Sequence, residues 1–221
     1  MEPLIASEHH AEIPRDGEFE ALGDASGQAG ALNLLGLLST DAGDGETAQA
    51  LFERSLGLRA EGDHHGRAIA LHNLARLTAR GGRPDEARRS YEEALRHRRA
   101  GGDVRGEAET LGNLGALIFL GGDPAGARQL YLQSLGLRRA LRDRVGIALM
   151  LFNLAEVAER EEDWPRAVTL YVHAARIFHE LGSPFARAAD EALGNLAARL
   201  GDRFADLRQA AEGSAWEEWV E

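Results

Sequence analysis

The chain has 221 residues and a formal net charge of −11; all 25 of its cationic side chains are Arg, and it contains neither Lys nor Cys. Without Cys there is no disulfide, thiolate nucleophile or zinc–thiolate site, and without Lys no Schiff-base lysine and no phosphate loop of the GK[ST] type. The acidity argues against a nucleic-acid partner, no apolar run approaches the roughly 18 residues that span a bilayer, and Glu2 and Glu8 stand where a signal peptide carries cations, so a cytoplasmic protein with no membrane association is expected.

In chain order, residues 1–14 are polar and aperiodic and read as a disordered acidic N-terminus. Residues 15–26 read as the remnant of a preceding helix and its joint, on the segment Phe19 to Gly27. A repeat array follows over 27–201, in units of about 27–66, 67–106, 107–146 and 147–186 and a half-unit 187–201. Residues 202–221 read as a capping helix and an acidic, Trp-containing tail. The first 26 residues carry a net charge of −6 and the last 20 a net charge of −4, which leaves −1 for the array. The charge belongs to the flanks.

The period is 40 residues. Asn73-Leu74-Ala75 returns as Asn113-Leu114-Gly115 and as Asn153-Leu154-Ala155; Ala87, Ala127 and Ala167 keep the spacing, as do Tyr91, Tyr131 and Tyr171. An earlier copy, with Gly36, Ala48 and Phe52, is one residue shorter. The joints recur as Asp24-x-x-Gly27, Asp63-x-x-Gly66, Asp103-x-x-Gly106 and Asp143-x-x-Gly146. Within a unit, Leu111, Leu114, Gly115 and Ile118 form an i, i+3, i+4, i+7 stripe, the mark of an amphipathic helix. Gly121-Gly122 ends that helix and Pro124 opens the next, which carries Ala127, Tyr131 and Leu135. Small residues on both helices let the axes approach, and the aromatic fills the groove that remains. One such pair cannot bury its apolar face alone, so the units stack into an all-α solenoid.

These residues resemble the tetratricopeptide repeat (TPR) family. The likeness rests on L-x-N-L-[GA] at Leu111 to Gly115, G-[DR]-P at Gly122 to Pro124, and A-x-x-x-Y-x-x-[AS]-L at Ala127 to Leu135. The family's repeat is usually about 34 residues; this longer form is similar to the arrays of kinesin light chains, of cell-polarity scaffolds and of the sensor regions of large bacterial transcription activators. The resemblance implies a right-handed superhelix of antiparallel helix pairs whose first helices line a concave face, and a protein or peptide as partner.

With the Leu of N-L-[GA] as position 7, position 6 points about 150° from the centre of the core stripe. Asn73, Asn113, Asn153 and Asn195 are then expected to face the groove, with Asn33 one position earlier. One reading is an amide ladder for the backbone of an extended peptide; the other is an inherited residue that links neighbouring helices. Flanking groove positions give Ile69, His72, Arg76 and Arg80 in the second unit, Glu109, Phe119 and Leu120 in the third, and Leu149, Phe152, Glu156, Glu159 and Arg160 in the fourth. Phe119 and Phe152 are candidate anchors, or else packing between repeats. Arg76 and Arg80 precede Glu156 and Glu159, a polarity that would orient a peptide; a solvated charged face accounts for the same residues.

No catalytic constellation emerges. The pairs His9-His10 and His64-His65 lack the i, i+4 spacing of a helical metal site, and no triad, metalloprotease or dinucleotide motif is present. No enzyme activity, cofactor or metal is expected. Trp216 and Trp219 stand at i, i+3 in an acidic tail. They would plug the open end of the last unit, or dock in a groove of the same or a neighbouring chain, with Arg76 and Arg80 receiving the acids and Phe119 and Phe152 a Trp. The expected function is therefore a peptide-binding scaffold. The alternatives are a ligand-responsive sensor domain acting on a transcriptional or signalling partner, and a structural homo-oligomer, such as a dimer through the C-terminal cap or tail.

Overall fold

The structure is a computed structural model that describes residues 24–220. The expectations for residues 1–23, including His9, His10 and the preceding-unit remnant, lie outside the described residues, apart from the joint at Asp24. Ten α-helices follow one another: α1 Ala25–Asp41, α2 Gly45–Gly57, α3 His64–Arg80, α4 Pro84–Ala100, α5 Val104–Leu120, α6 Pro124–Ala140, α7 Arg144–Arg160, α8 Trp164–Glu180, α9 Ala186–Leu200 and α10 Asp202–Glu212. A short 3₁₀ turn, Trp216–Trp219, ends the described chain. From α3 to α8 every helix has 17 residues and every connection three, which is the physical content of the 40-residue period.

Each helix packs on its partner and then on the first helix of the next pair. The first helices of successive pairs also touch, α1 with α3, α3 with α5 and α5 with α7, so they line the inner side of the solenoid. The pairs close where the sequence is small. A Cβ on Gly36 would lie 2.5 Å from the Phe52 ring, and one on Gly115 would lie 2.7 Å from the Tyr131 ring. Ala75 under Tyr91 and Ala155 under Tyr171 make the same contact with all four side chains buried. Ser55 and Ser134, one turn after the Phe52 and Tyr131 rings, donate to Ala29 O and Ala108 O at 2.7 Å and fasten the second helix to the first.

The joints are three-part locks. Asp63, Asp103 and Asp143 cap the following helices by accepting from the N–H of Gly66, Gly106 and Gly146 at 2.9 to 3.0 Å. This is the N-cap bond that satisfies an otherwise orphaned helix donor. An upstream arginine completes each lock, Arg98 and Arg138 from the last turns of the preceding helices and Arg59 from the connection after α2. Arg59 reaches Asp63 at 2.9 Å, Arg138 reaches Asp143 at 2.7 Å, and Arg98 pairs with Asp103. A Cβ on Gly66, Gly106 or Gly146 would collide with both the aspartate and this arginine, so the joint glycine is set by close approach.

The last pair departs from the pattern. Its connection is the single residue Gly201, at φ +56, and α10 packs more extensively on α8 than on its own partner α9. The turn back over α8 delivers the tail to the outer face. There Trp216 lies over the Arg139 guanidinium, 5.2 Å from it. Trp219 and Val220 settle among Leu132, Leu154 and Leu170, flanked by Arg128 and Arg166. The tail therefore neither plugs the open end nor reaches Arg76, Arg80, Phe119 or Phe152; it lies in the groove between α6 and α8. No helix among the described residues is long and apolar enough to cross a membrane.

Candidate functional site

The inner row of asparagines divides into two halves. Asn73 is buried and donates to Asn33 Oδ1 at 3.0 Å. One repeat further on, the partner of Asn113 is His72, whose Nε2 lies 3.2 Å from Asn113 Nδ2. Asn33 and His72 occupy the same register, one position before the asparagine position, so the two bonds are copies of one link between successive inner helices. His72 is itself buried. Its Nδ1 lies 3.0 Å from Thr110 Oγ1, and that hydroxyl already donates to Gly106 O. Thr110 therefore accepts the Nδ1–H, and Nε2 is left to accept from Asn113. Glu109 stands 3.5 Å from the same Nε2. The amides of Asn33 and Asn73 and the His72 ring are thus spent inside the solenoid rather than offered to a groove. The expected row of open amides is closed at this end because each polar group has a partner one repeat away.

The link stops at the third unit, where Gly112 occupies the register of Asn33 and His72 and has no side chain to offer. Met150 fills the space, with its Cε 3.2 Å from where a Cβ would be. Asn153, half-buried on α7, consequently has no hydrogen-bond partner among the described residues, and neither has Asn195, exposed on α9.

One turn further along α7 from Asn153, Glu156 borders a concavity of about 370 Å³ whose other walls are Phe119, Glu159, Arg160, Glu162, Tyr171 and Arg199. Arg160 covers the Phe119 ring at 4.8 Å, within the range of a cation–π contact. Phe152 packs edge-on against Tyr171, ring centres 5.1 Å apart. Glu159 is neutralised, accepting from Arg199 at 2.5 Å and from the Tyr171 hydroxyl at 3.2 Å. Glu156 has no ion-pair partner among the described residues. Burial, and then the neighbouring Glu159, push its carboxyl above the usual range. Leu120 is 81% exposed at the end of α5. Ile69 and Leu149 are half-buried, and Arg76 and Arg80 are exposed. Arg80 lies at the far end of α3 beside Thr40 and Gln49, in a separate hollow near the turns.

Sequence reasoning missed the part played by Gly112, Tyr171 and Arg199. The signal was present in Gly112: aligned copies have Asn33, His72 and Phe152 in that register, and a missing side chain next to a recurring polar one marks a broken link.

The helix pairs and their inner polar row define a repeat solenoid of the kind that mediates protein–protein interaction. Residues 27–100 match the family model of the tetratricopeptide repeat. These are the first two helix pairs, and the 40-residue period carries the same unit on through α8. Among solved structures, BtubC (BKLC) from P. vanneervenii is 22% identical, with a TM-score of 0.68 over 89% of this chain and 87% of that one. The TPR-like repeats of a kinesin light chain from Podosopora anserina are 18% identical, with a TM-score of 0.66 over 86% and 94%. The apo form of RapI is 13% identical, with a TM-score of 0.69 over 87% of this chain, which spans 56% of RapI. At these identities the likeness is one of fold. No curated protein matches the sequence significantly.

Proposed function

We propose that the chain is a non-catalytic scaffold that binds an extended peptide segment along the C-terminal half of its inner face, across α5, α7 and α9. The observation that carries this reading is the unpartnered amide of Asn153, half-buried on α7 one turn before Glu156, which borders a hollow lined with aromatic and charged groups. A side-chain amide offers one acceptor and two donors and can pair with a peptide backbone as a neighbouring strand would. Phe119 and Phe152 supply apolar contact. Glu156, without a cation of its own, favours a basic side chain in the partner, because a partly desolvated carboxylate gains most from an opposite charge. The other half of the row, with Asn33, Asn73 and Asn113 linked between repeats, serves to fix the register of the helices.

Selection of peptides from a random display library on the wild-type chain tests the reading. Enriched peptides should carry Arg or Lys, and the Asn153→Ala/Glu156→Gln variant should bind them at least about tenfold more weakly, the loss of roughly one charge-assisted hydrogen bond. Unchanged affinity in that variant would remove the site.

A further inference from the structure

A second unfilled space lies at the opposite end of the array from the linked asparagines. It is a cavity of about 590 Å³ between α8, α9 and α10, within the range of small-molecule sites. Its walls are apolar: Val172 and Ala175 from α8, Leu193 and Ala197 from α9, and Phe204 from α10.

The repeat explains why the space is there. In each of the first four units a small residue on the first helix lies under an aromatic ring from the second: Gly36 under Phe52, Ala75 under Tyr91, Gly115 under Tyr131 and Ala155 under Tyr171. Ala197 occupies the same register in the fifth unit, one residue after Leu196 of Asn195-Leu196-Ala197. Its own second helix does not take the usual place, because the one-residue turn at Gly201 throws α10 onto α8. The ring is missing, and the cavity is where it would be.

The polar groups at the cavity are not equivalent. His179 is paired with Asp190, with Nε2 3.0 Å from both carboxylate oxygens, and Arg208 is paired with Glu212 at 3.2 Å. Arg176 lines the same cavity and has no carboxylate partner among the described residues; it donates to the Nδ1 of buried His173 at 3.0 Å. A guanidinium has five donors in a planar fork suited to a carboxylate or another planar anion, so most of its capacity remains unused.

We propose that this cavity is a binding site for a small aromatic anion, its ring over Ala197 in the place of the missing side chain and its acidic group on Arg176. The site is separate from the inner-face peptide site and does not depend on it.

Gly194 provides a way to close the cavity. It lies in the interior of α9 and lines the cavity, and a Cβ there would meet no atom within 4 Å. Gly194→Phe therefore introduces a bulky side chain whose first atom meets open space at the cavity wall, and it replaces a poor helix former. The test titrates the full chain with the fluorescent aromatic anion anilinonaphthalene sulfonate and with its uncharged counterpart N-phenylnaphthylamine. The wild type should bind the anion saturably at one site and at least tenfold more tightly than the neutral probe. Arg176→Ala should bring the two probes to similar affinity. Gly194→Phe should abolish binding of both while keeping or raising the melting temperature. Phe119→Ala and Asn153→Ala should leave binding unchanged, which separates failure here from failure at the inner face. Binding that survives Gly194→Phe, an anion preference that survives Arg176→Ala, or the lack of saturable binding by the wild type would each overturn the assignment.

Discussion

Asn73 donates to Asn33 across 3.0 Å, joining α3 to α1, and both residues are buried. Removing either partner strands the other amide away from water. A buried polar group left unpaired costs about 1–3 kcal/mol, so Asn33→Ala should lower stability by that order, seen as a lower urea midpoint at unchanged slope. Asn153→Ala removes an amide with no partner and should change stability by less than about 0.5 kcal/mol. Equal effects at the two positions would mean that the row is not divided as described.

Two glycines in helix interiors should respond in opposite directions. A Cβ on Gly115 would lie 2.7 Å from the Tyr131 ring, whereas one on Gly136 would meet nothing within 4 Å. Gly115→Ala should destabilise by about 1–3 kcal/mol through overpacking. Gly136→Ala should stabilise by up to about 1 kcal/mol through helix propensity. Thermal unfolding of the two variants decides the matter.

Glu156 sets recognition against stability. Its carboxyl is pushed up by burial and by Glu159, so folding favours its protonated form. The resulting stability is present below the ordinary Glu range and lost as pH rises through the raised value. Glu156→Gln should therefore stabilise the free protein near neutral pH and flatten this part of the pH profile, while weakening basic peptides. Denaturation at pH 4 and pH 7 for both forms measures it.

The tail should be sensitive to acid. His173 is buried, and burial, followed by the Arg176 charge, holds its pKa below the usual value. Within the folded chain the neutral ring is favoured. The contribution is complete above the ordinary value of about 6.5 and is lost as pH falls below it toward the depressed one. Ser214 and Glu217 of the tail face this ring, so acrylamide quenching of Trp216 and Trp219 should increase over that window. His173→Gln should remove the change.

Removing the Trp219 ring should loosen the tail. Trp219 lies among Leu132, Leu154 and Leu170, and its indole N–H is buried without a hydrogen bond, so its docking rests on apolar contact. Trp219→Ala should cost about 1–2 kcal/mol, a moderate loss of burial. It should also raise the quenching of Trp216 without altering helix content by circular dichroism.

The helix pairs were legible because they rest on strictly local chemistry. Asp and Gly at the joints, Pro at helix starts and small–aromatic pairs at fixed spacing each act within one unit. The inner face was legible only in direction. Helical geometry placed Asn73 and Asn153 on the same side, yet their surroundings differ because of Asn33 and Gly112, 40 and 41 residues before them. The tail was the least legible. Its two Trp and its acids announced a docking segment, but its destination depends on the backbone at Gly201, which sends α10 over α8. The arginine of each joint was also hidden, since Arg59, Arg98 and Arg138 stand four or five residues before the aspartates they hold, ahead of the recurring Asp-x-x-Gly itself.

The three-part joint has a consequence for how the array can change in length. Each lock joins the end of one helix pair, which supplies the arginine, to the start of the next, which supplies the capping aspartate and the glycine, and Arg98 and Arg138 are separated by one period. Excising or duplicating a 40-residue block between them would regenerate an intact lock at the scar. At the last joint the corresponding residues are Phe178, Ser183 and Ala186, and Phe178 instead stacks on Phe185 with ring centres 5.7 Å apart. The gene can thus gain or lose middle units by unequal recombination without a mismatched seam, whereas the terminal unit is keyed to its own place and does not interchange with them.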